Sequence, residues 1–522
     1  MLRGILTVGA WTMGSRVLGF ARDMLIAALL GDGPIADAFF VALKLPNLFR
    51  RLFGEGAFNA AFVPAVSGML ATEGRPPAER FASEAFATMT LGLGVLVLVG
   101  ELFMPWLVRL LAPGFAEEPS KFALTVALCR ITYPYLLLIC LAALVSGVLN
   151  GMDRYAAAAG SAMLFNVGAI AAMIWLPPFV PTVGHALSWG VMLSGIAQLG
   201  LVLAALRRTG FRLRPRGPLL SPQIKLLLRR MAPGLLGAGV TQLNVVVDGI
   251  IASLLPPGSV SLLYYADRVQ QLPLGVIGAA VGTAMLPLLS RQVRAGEAEA
   301  AAGTANRAME YALVLTLPSA LALIVLREPV IAVLFGRGAF DSPEGITASA
   351  GALAGFAVGL PAYVLIRALA PCFFARGDTA TPVKVGLVAV ALNLVLNVLF
   401  MRPLQQVGPA LATSLAAICN VVLLGWVLRA RGHLRLDARL RARLPRMAIA
   451  SVAMAAVLWG ARATVFAALD GPGFLRWLGL ALVIVIGMLS YAAAGQAIGA
   501  FALREFAGAL LRRRRPALAK SG

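Results

Sequence analysis

The sequence is poor in charge, in lysine and in histidine. Asp, Glu, Lys and Arg together make up 13% of 522 residues, about half the share of a soluble globular chain. There are 2 histidines, His185 and His433, far apart in the chain. The 4 cysteines (Cys129, Cys140, Cys372 and Cys419) lie in apolar segments. They show no pairing pattern and no ligand spacing, which excludes a disulfide scaffold and a Cys/His metal site. What is abundant is apolar: 60% of the chain is hydrophobic and the mean hydropathy is +0.85. This composition belongs to a polytopic, all-α membrane protein.

Fourteen apolar segments of spanning length are expected, near 2–31, 35–70, 80–112, 122–149, 156–177, 185–206, 226–255, 259–290, 305–336, 345–375, 383–402, 408–429, 444–468 and 474–503. The first is expected to be an uncleaved span, since Arg16, Arg22 and Asp23 interrupt it and no clean cleavage site follows. Fourteen spans put both termini on one side. With the N-terminus inside, inner segments hold thirty basic residues and outer segments five: Lys121, Arg327, Arg337, Arg402 and Arg476. That asymmetry places both termini in the cytoplasm. It also accounts for the net charge of +22 without nucleic acid, and reads the four arginines at 512–515 as a solvated tail beside anionic lipid.

A weak internal repeat divides the chain. AD…LP…VPAVS at 36–67 is echoed by AD…LP…LPLLS at 266–290. Pro134, Gly151 and Asn166 are echoed by Pro361, Gly377 and Asn393 at nearly equal spacing. The expected organisation is a lobe of six helices over 1–218, a second over 219–432, and two further helices with a basic tail over 433–522. Two halves starting on one side imply a pseudo-two-fold axis along the membrane normal, with substrate at the repeat interface.

Charge inside the spans is concentrated in three of them. In 36–64, ADAFFVALKLPNLFRRLFGEGAFNAAFVP, the residues Lys44, Asn47, Arg51, Glu55 and Asn59 recur at helical spacing, with Asp37 and Arg50 close by. In the first span, Ser15, Arg16, Gly19, Arg22 and Asp23 share a face. In the eighth, Ser261, Tyr265 and Arg268 stack with Asp267 beside them. Each charge at the bilayer centre costs roughly 2.5–3.5 kcal/mol even on a lenient scale, so these side chains should face protein or a water-filled cavity. Snorkelling at helix ends and local Arg–Asp neutralisation are the plain alternatives. Six cations against four anions suit an anionic, phosphate-bearing ligand, because guanidinium pairs with phosphate bidentately. Asn47, Ser261 and the carboxylates suit sugar hydroxyls. Arg51 and Glu55 should pair in one state, and Asp37 and Asp267 should act as gates.

In SRVLGFARD (15–23), in the 36–64 stretch and in YYADR (264–268), the sequence closely resembles the MviN/MurJ family of lipid II flippases. The resemblance covers essentially all fourteen spans. It implies export of undecaprenyl-diphosphate-linked peptidoglycan precursor across the bacterial cytoplasmic membrane by alternating access. It further implies two lobes around a cationic cavity, with the last two helices holding the lipid tail, and contact with the cell-wall synthesis machinery. The family's functional residues fall on Ser15, Arg16, Arg22, Asp23, Asp37, Asn47, Arg50, Arg51, Glu55, Ser261, Asp267 and Arg268.

Other classes fit less well. A cation-exporting drug transporter would want a net-negative cavity and has no need of the last two spans. Another polyprenyl-linked oligosaccharide would suit the same cavity. A membrane glycosyltransferase or polymerase would normally need a long outer loop combining carboxylates with histidine or a metal, and none is present. A scaffold has no use for buried charge. No resident cofactor is expected. A coupling ion, sodium or a proton, is expected at Asp248, the lone charge in its stretch of span seven. Asn393, Asn397 and Thr413 lie at similar depth in spans eleven and twelve and offer hard oxygen donors. A protonated Asp248 hydrogen-bonded to Asn393 is the plain alternative.

Overall fold

The computed structural model describes residues 2–51, 57–214, 220–471 and 473–502, and among them the chain is helical, with no strand. Helix occupies each of the fourteen expected segments. Ten of the helical stretches are long and apolar enough to cross a membrane. Large apolar side chains such as Leu98, Trp106, Trp175, Trp426, Val452 and Trp459 are exposed. Water would not tolerate so broad an apolar surface, and lipid requires it.

The chain forms two compact units, Met1–Tyr264 with Arg337–Ser342, and Tyr265–Gly336 with Pro343–Gly522. The expected 218/219 boundary therefore falls inside the first unit. That unit holds α1 (Leu2–Leu30), α2 (Pro34–Phe49), α3 (Ala57–Thr72), α4 (Arg75–Leu102), α5 (Met104–Leu111), α6 (Pro119–Thr132), α7 (Tyr135–Gly151), α8 (Tyr155–Trp175), α9 (Val183–Arg208), α10 (Pro222–Ser253) and the first turns of α11 (Ser259–Arg294). Proline at the first helical positions starts α2, α4, α5, α6 and α10, where the missing N–H costs nothing. Pro134 separates α6 from α7 and so bends the fourth span. Phe58, Phe62, Val66, Phe81, Val145, Val148, Leu206 and Ile224 form a continuous core, with Phe62 stacked on both Phe58 and Phe81.

The second unit holds the rest of α11, then α12 (Ala298–Val325), α13 (Arg327–Phe335), α14 (Pro343–Phe374), α15 (Ala380–Leu404), α16 (Val407–Ala430), α17 (Ala438–Ala461), a π-helical turn (Arg462–Phe466), the short α18 (Ala467–Leu469) and α19 (Phe474–Ala497). α14 packs closely on α16 because Gly359 lies where a Cβ would meet the Ser414 backbone at 2.8 Å. α17 is tied to α12 by charge. Glu310, 1% exposed, accepts hydrogen bonds from Arg307 on its own helix, from Arg439 at 3.1 Å and from Arg443 at 2.5 Å. Asp437 caps α17 through the Leu440 N–H at 2.7 Å and also receives Arg307. α19 docks on the same side: the Tyr491 hydroxyl donates to the Val314 carbonyl at 2.8 Å.

Outside the membrane, Asp378 lies between α14 and α15 and accepts from Thr381 in the first turn of α15. The Thr381 hydroxyl and N–H and the Arg431 guanidinium hold its carboxyl well below the usual range.

Candidate functional site

Two polar knots lie within the first unit. The first joins α1 to α8. The Arg22 guanidinium donates to Asp23 Oδ1 at 2.6 and 3.1 Å and to Asn166 Oδ1 at 2.9 Å, and it lies over the Phe165 ring at 5.2 Å. Asn166 in turn donates to the Ser15 carbonyl at 2.9 Å and hydroxyl at 3.3 Å. Gly19 lies beside this amide, which is 3.5 Å from where a Cβ would stand. The Tyr264 hydroxyl reaches Asp23 at 3.3 Å. Arg22 and Asp23 are both buried, whereas Arg16 on the same helix is exposed. The residues expected on one face are therefore divided: Arg22 and Asp23 are engaged with protein and Arg16 is presented outward.

The second knot joins α2, α6 and the start of α11. Asp37, 1% exposed, receives the Lys121 ammonium at 2.8 Å, the Gly258 N–H at 2.7 Å, the Ser261 N–H at 2.9 Å and the Ser261 hydroxyl at 3.0 Å. Its carboxylate therefore caps the N-terminus of α11, where unpaired backbone N–H groups and the helix dipole favour a negative charge. Lys121, counted by sequence among the outer loop charges, is instead buried on α6 with its ammonium over Phe115 at 4.1 Å. It ends in the interior because Asp37 offers it a counter-ion there. The outer side thus carries four expected loop charges rather than five. Ser261, expected for a sugar hydroxyl, is fully buried and spends its hydroxyl on Asp37 and the Gly258 carbonyl.

Further along α2, the Asn47 amide donates to the Leu43 carbonyl at 2.9 Å and accepts from Arg50 Nε at 3.2 Å. The backbone then adopts π-helical geometry at Arg50 and Arg51, a local widening frequent at functional sites. Arg51 is exposed. Glu55 lies outside the described residues. The Lys44 ammonium lies over α10 at Gly249, 3.2 Å from where a Cβ would stand, next in sequence to Asp248.

In the second unit, Tyr265 is buried against Phe335 and is not part of a polar stripe. Asp267 accepts from Gln271 one turn on, and Arg268 is half-buried beside it. Asn397 donates its amide to Asn393 Oδ1 at 3.0 Å, and the Thr413 hydroxyl donates to the Pro409 carbonyl at 2.9 Å. Asp248 belongs to the first unit and these three to the second. Sequence reasoning missed Arg367, an exposed guanidinium toward the C-terminal end of α14 that lies over Gly278, 2.7 Å from where a Cβ would stand. A charge within an apolar run was the signal. It also gave Asn166 no role, although the repeat aligns it with Asn393.

A family model described as lipid II flippase MurJ matches residues 26–477. The chain belongs to the lipid II flippase MurJ family. A probable lipid II flippase MurJ of Rhizobium meliloti is 44% identical over 463 residues, covering 88% of this chain and 86% of that one. A lipid II flippase MurJ of Burkholderia cenocepacia is 35% identical over 436 residues, covering 83% and 84%. Among solved structures, an inward closed conformation of lipid II flippase MurJ superposes with a TM-score of 0.78 at 24% identity, over 94% of this chain and 98% of that one. An inward-facing multidrug transporter of the MATE family superposes at 0.69 with 13% identity, over 82% and 98%. Those two likenesses establish a common fold. Membership of the MurJ family rests on the sequence matches; the family model takes in every polar position of the candidate site except Ser15, Arg16, Arg22 and Asp23.

Proposed function

We propose that this protein exports lipid II, the undecaprenyl-diphosphate-linked peptidoglycan precursor, from the inner to the outer leaflet of the bacterial cytoplasmic membrane. The observation that carries the reading is membership of the MurJ family together with arginines on α1, at the end of α2 and on α11. In this reading Arg16, Arg22, Arg50, Arg51 and Arg268 supply guanidinium to the diphosphate, and Asn47 supplies an amide to the sugar. Both termini lie in the cytoplasm, as loop charge requires, and α17 and α19 accompany the polyprenyl tail. Depleting the protein should leave lipid II confined to the inner leaflet, read by an impermeant reagent added to spheroplasts. Unchanged labelling at the outer face after depletion would sink the proposal.

The coupling ion is assigned to Asp248. It is the sole carboxylate on α10, and a carboxylate at membrane depth must be protonated, paired or bound to a cation. Lys44 at the adjoining Gly249 supplies a cation that sodium or a proton can displace. Asp248→Asn is expected to abolish the dependence of transport on an ion gradient while preserving lipid II binding. Transport by the purified variant in vesicles, with sodium and pH gradients imposed separately, measures this. Full gradient dependence in the variant would refute the assignment.

A further inference from the structure

A groove of about 550 Å³ opens in the second unit, between the end of α12, the start of α13, α14 and the start of α16. It is large enough for a small-molecule ligand, for which ~300–1,000 Å³ is usual. Its long wall is one face of α14, where Thr347, Gly351, Gly355 and Val358 succeed each other, opposed by Ile324 and Leu411. From Thr347 to Val358 is about 16 Å of helix at ~1.5 Å per residue. That is close to one leaflet of a ~30 Å hydrocarbon core. The orientation proposed above puts the polar end of this wall at the outer surface.

That polar end is made of Arg327, Glu328, Thr347 and Gln406. Glu328 is held by Arg462, which also donates to the Val325 carbonyl at 3.3 Å. Arg327 stands 3.9 Å from the same carboxylate with its side chain 43% exposed. Two guanidiniums thus share one carboxylate, and the mouth keeps a positive excess beside an apolar trough.

We infer that this groove is a site for an anionic phospholipid of the outer leaflet, its phosphate on Arg327 and one acyl chain along α14. A planar guanidinium at headgroup depth matches a phosphate, and the trough takes the chain out of contact with bulk lipid. Length selects the chain: the apolar wall runs about one leaflet deep from the polar mouth, the reach of a fatty-acyl chain hung from a headgroup at the surface. The inference rests on the orientation proposed above and uses none of the residues assigned to the diphosphate, the sugar or the coupling ion.

Native mass spectrometry of the full chain, released from detergent with equal phosphatidylglycerol and phosphatidylcholine of matched 16- and 18-carbon chains, tests it. Phosphatidylglycerol should be retained over phosphatidylcholine by about tenfold, the effect of ~1.4 kcal/mol. Arg327→Gln, a change at an exposed rim, should bring the two lipids to parity. Ala354→Phe, which fills the trough, should remove both. A preference for phosphatidylglycerol that persists in Arg327→Gln would overturn the site. So would selective retention of undecaprenyl phosphate when it is added in place of phosphatidylglycerol. If Ala354→Phe does not fold, the Arg327→Gln comparison decides alone.

Discussion

Asp37→Ala is expected to destabilise the protein by ~3–5 kcal/mol, the range for removing one partner of a buried ion pair. Three losses combine. Lys121 keeps its charge in a site where it is 4% exposed, α11 loses its N-terminal cap, and the Ser261 hydroxyl loses an acceptor. Asp37→Asn should cost less, because the amide oxygen can still accept from Gly258 and Ser261. Adding Lys121→Met to Asp37→Ala should recover part of the loss, since the orphaned ammonium is then gone. Thermal unfolding of the purified variants reads the order parent, Asn, double variant, Ala. If the single Ala variant melts with the parent, the carboxylate is not holding α2, α6 and α11 together.

The second large effect is expected at Arg22. Its guanidinium serves two acceptors at once, Asp23 and Asn166, through separate nitrogens. An ammonium at that depth can reach one of them but cannot reproduce the planar fork. Arg22→Lys should therefore fail to support growth as the sole copy, while its level in the membrane stays normal. Asn166→Ala should lower export by at least about tenfold, the lower end of the ~1.5–3 kcal/mol of a hydrogen bond to a charged group. The two changes should not be additive, since they meet in one network. Wild-type export by Arg22→Lys would show that Arg22 acts only as a charge.

The helices were legible because a membrane span is written in composition alone. Each of the fourteen apolar segments contains helix among its described residues, and helices end and restart at Phe103 and Pro134 within two of them. Partnership was harder to read. Asp37 and Lys121 are 84 residues apart, and Lys121 borders a loop in sequence, so hydropathy gives no reason to bury it. Asp37 and Ser261, 224 residues apart, were each recognised as polar groups within spans. That one caps the helix of the other follows only from the packing of α2 beside the start of α11. Asn166 illustrates the opposite case. The repeat aligns it with Asn393 in sequence, but an uncharged amide in an apolar helix carries little weight until Arg22 is seen to reach it.

Glu310 bears on how the chain is made. Its partner Arg439 lies 129 residues later, which at ~5–20 residues per second is on the order of 6–25 s of synthesis. During that interval α12 must enter the membrane with its carboxylate and without α17. Arg307, three residues earlier on the same helix, is already present as a counter-ion. It acts as a placeholder, neutralising Glu310 at insertion and then sharing it when Arg439 and Arg443 arrive. The last helices can therefore dock on a charge that was never left bare in the bilayer, and assembly can follow the order of translation.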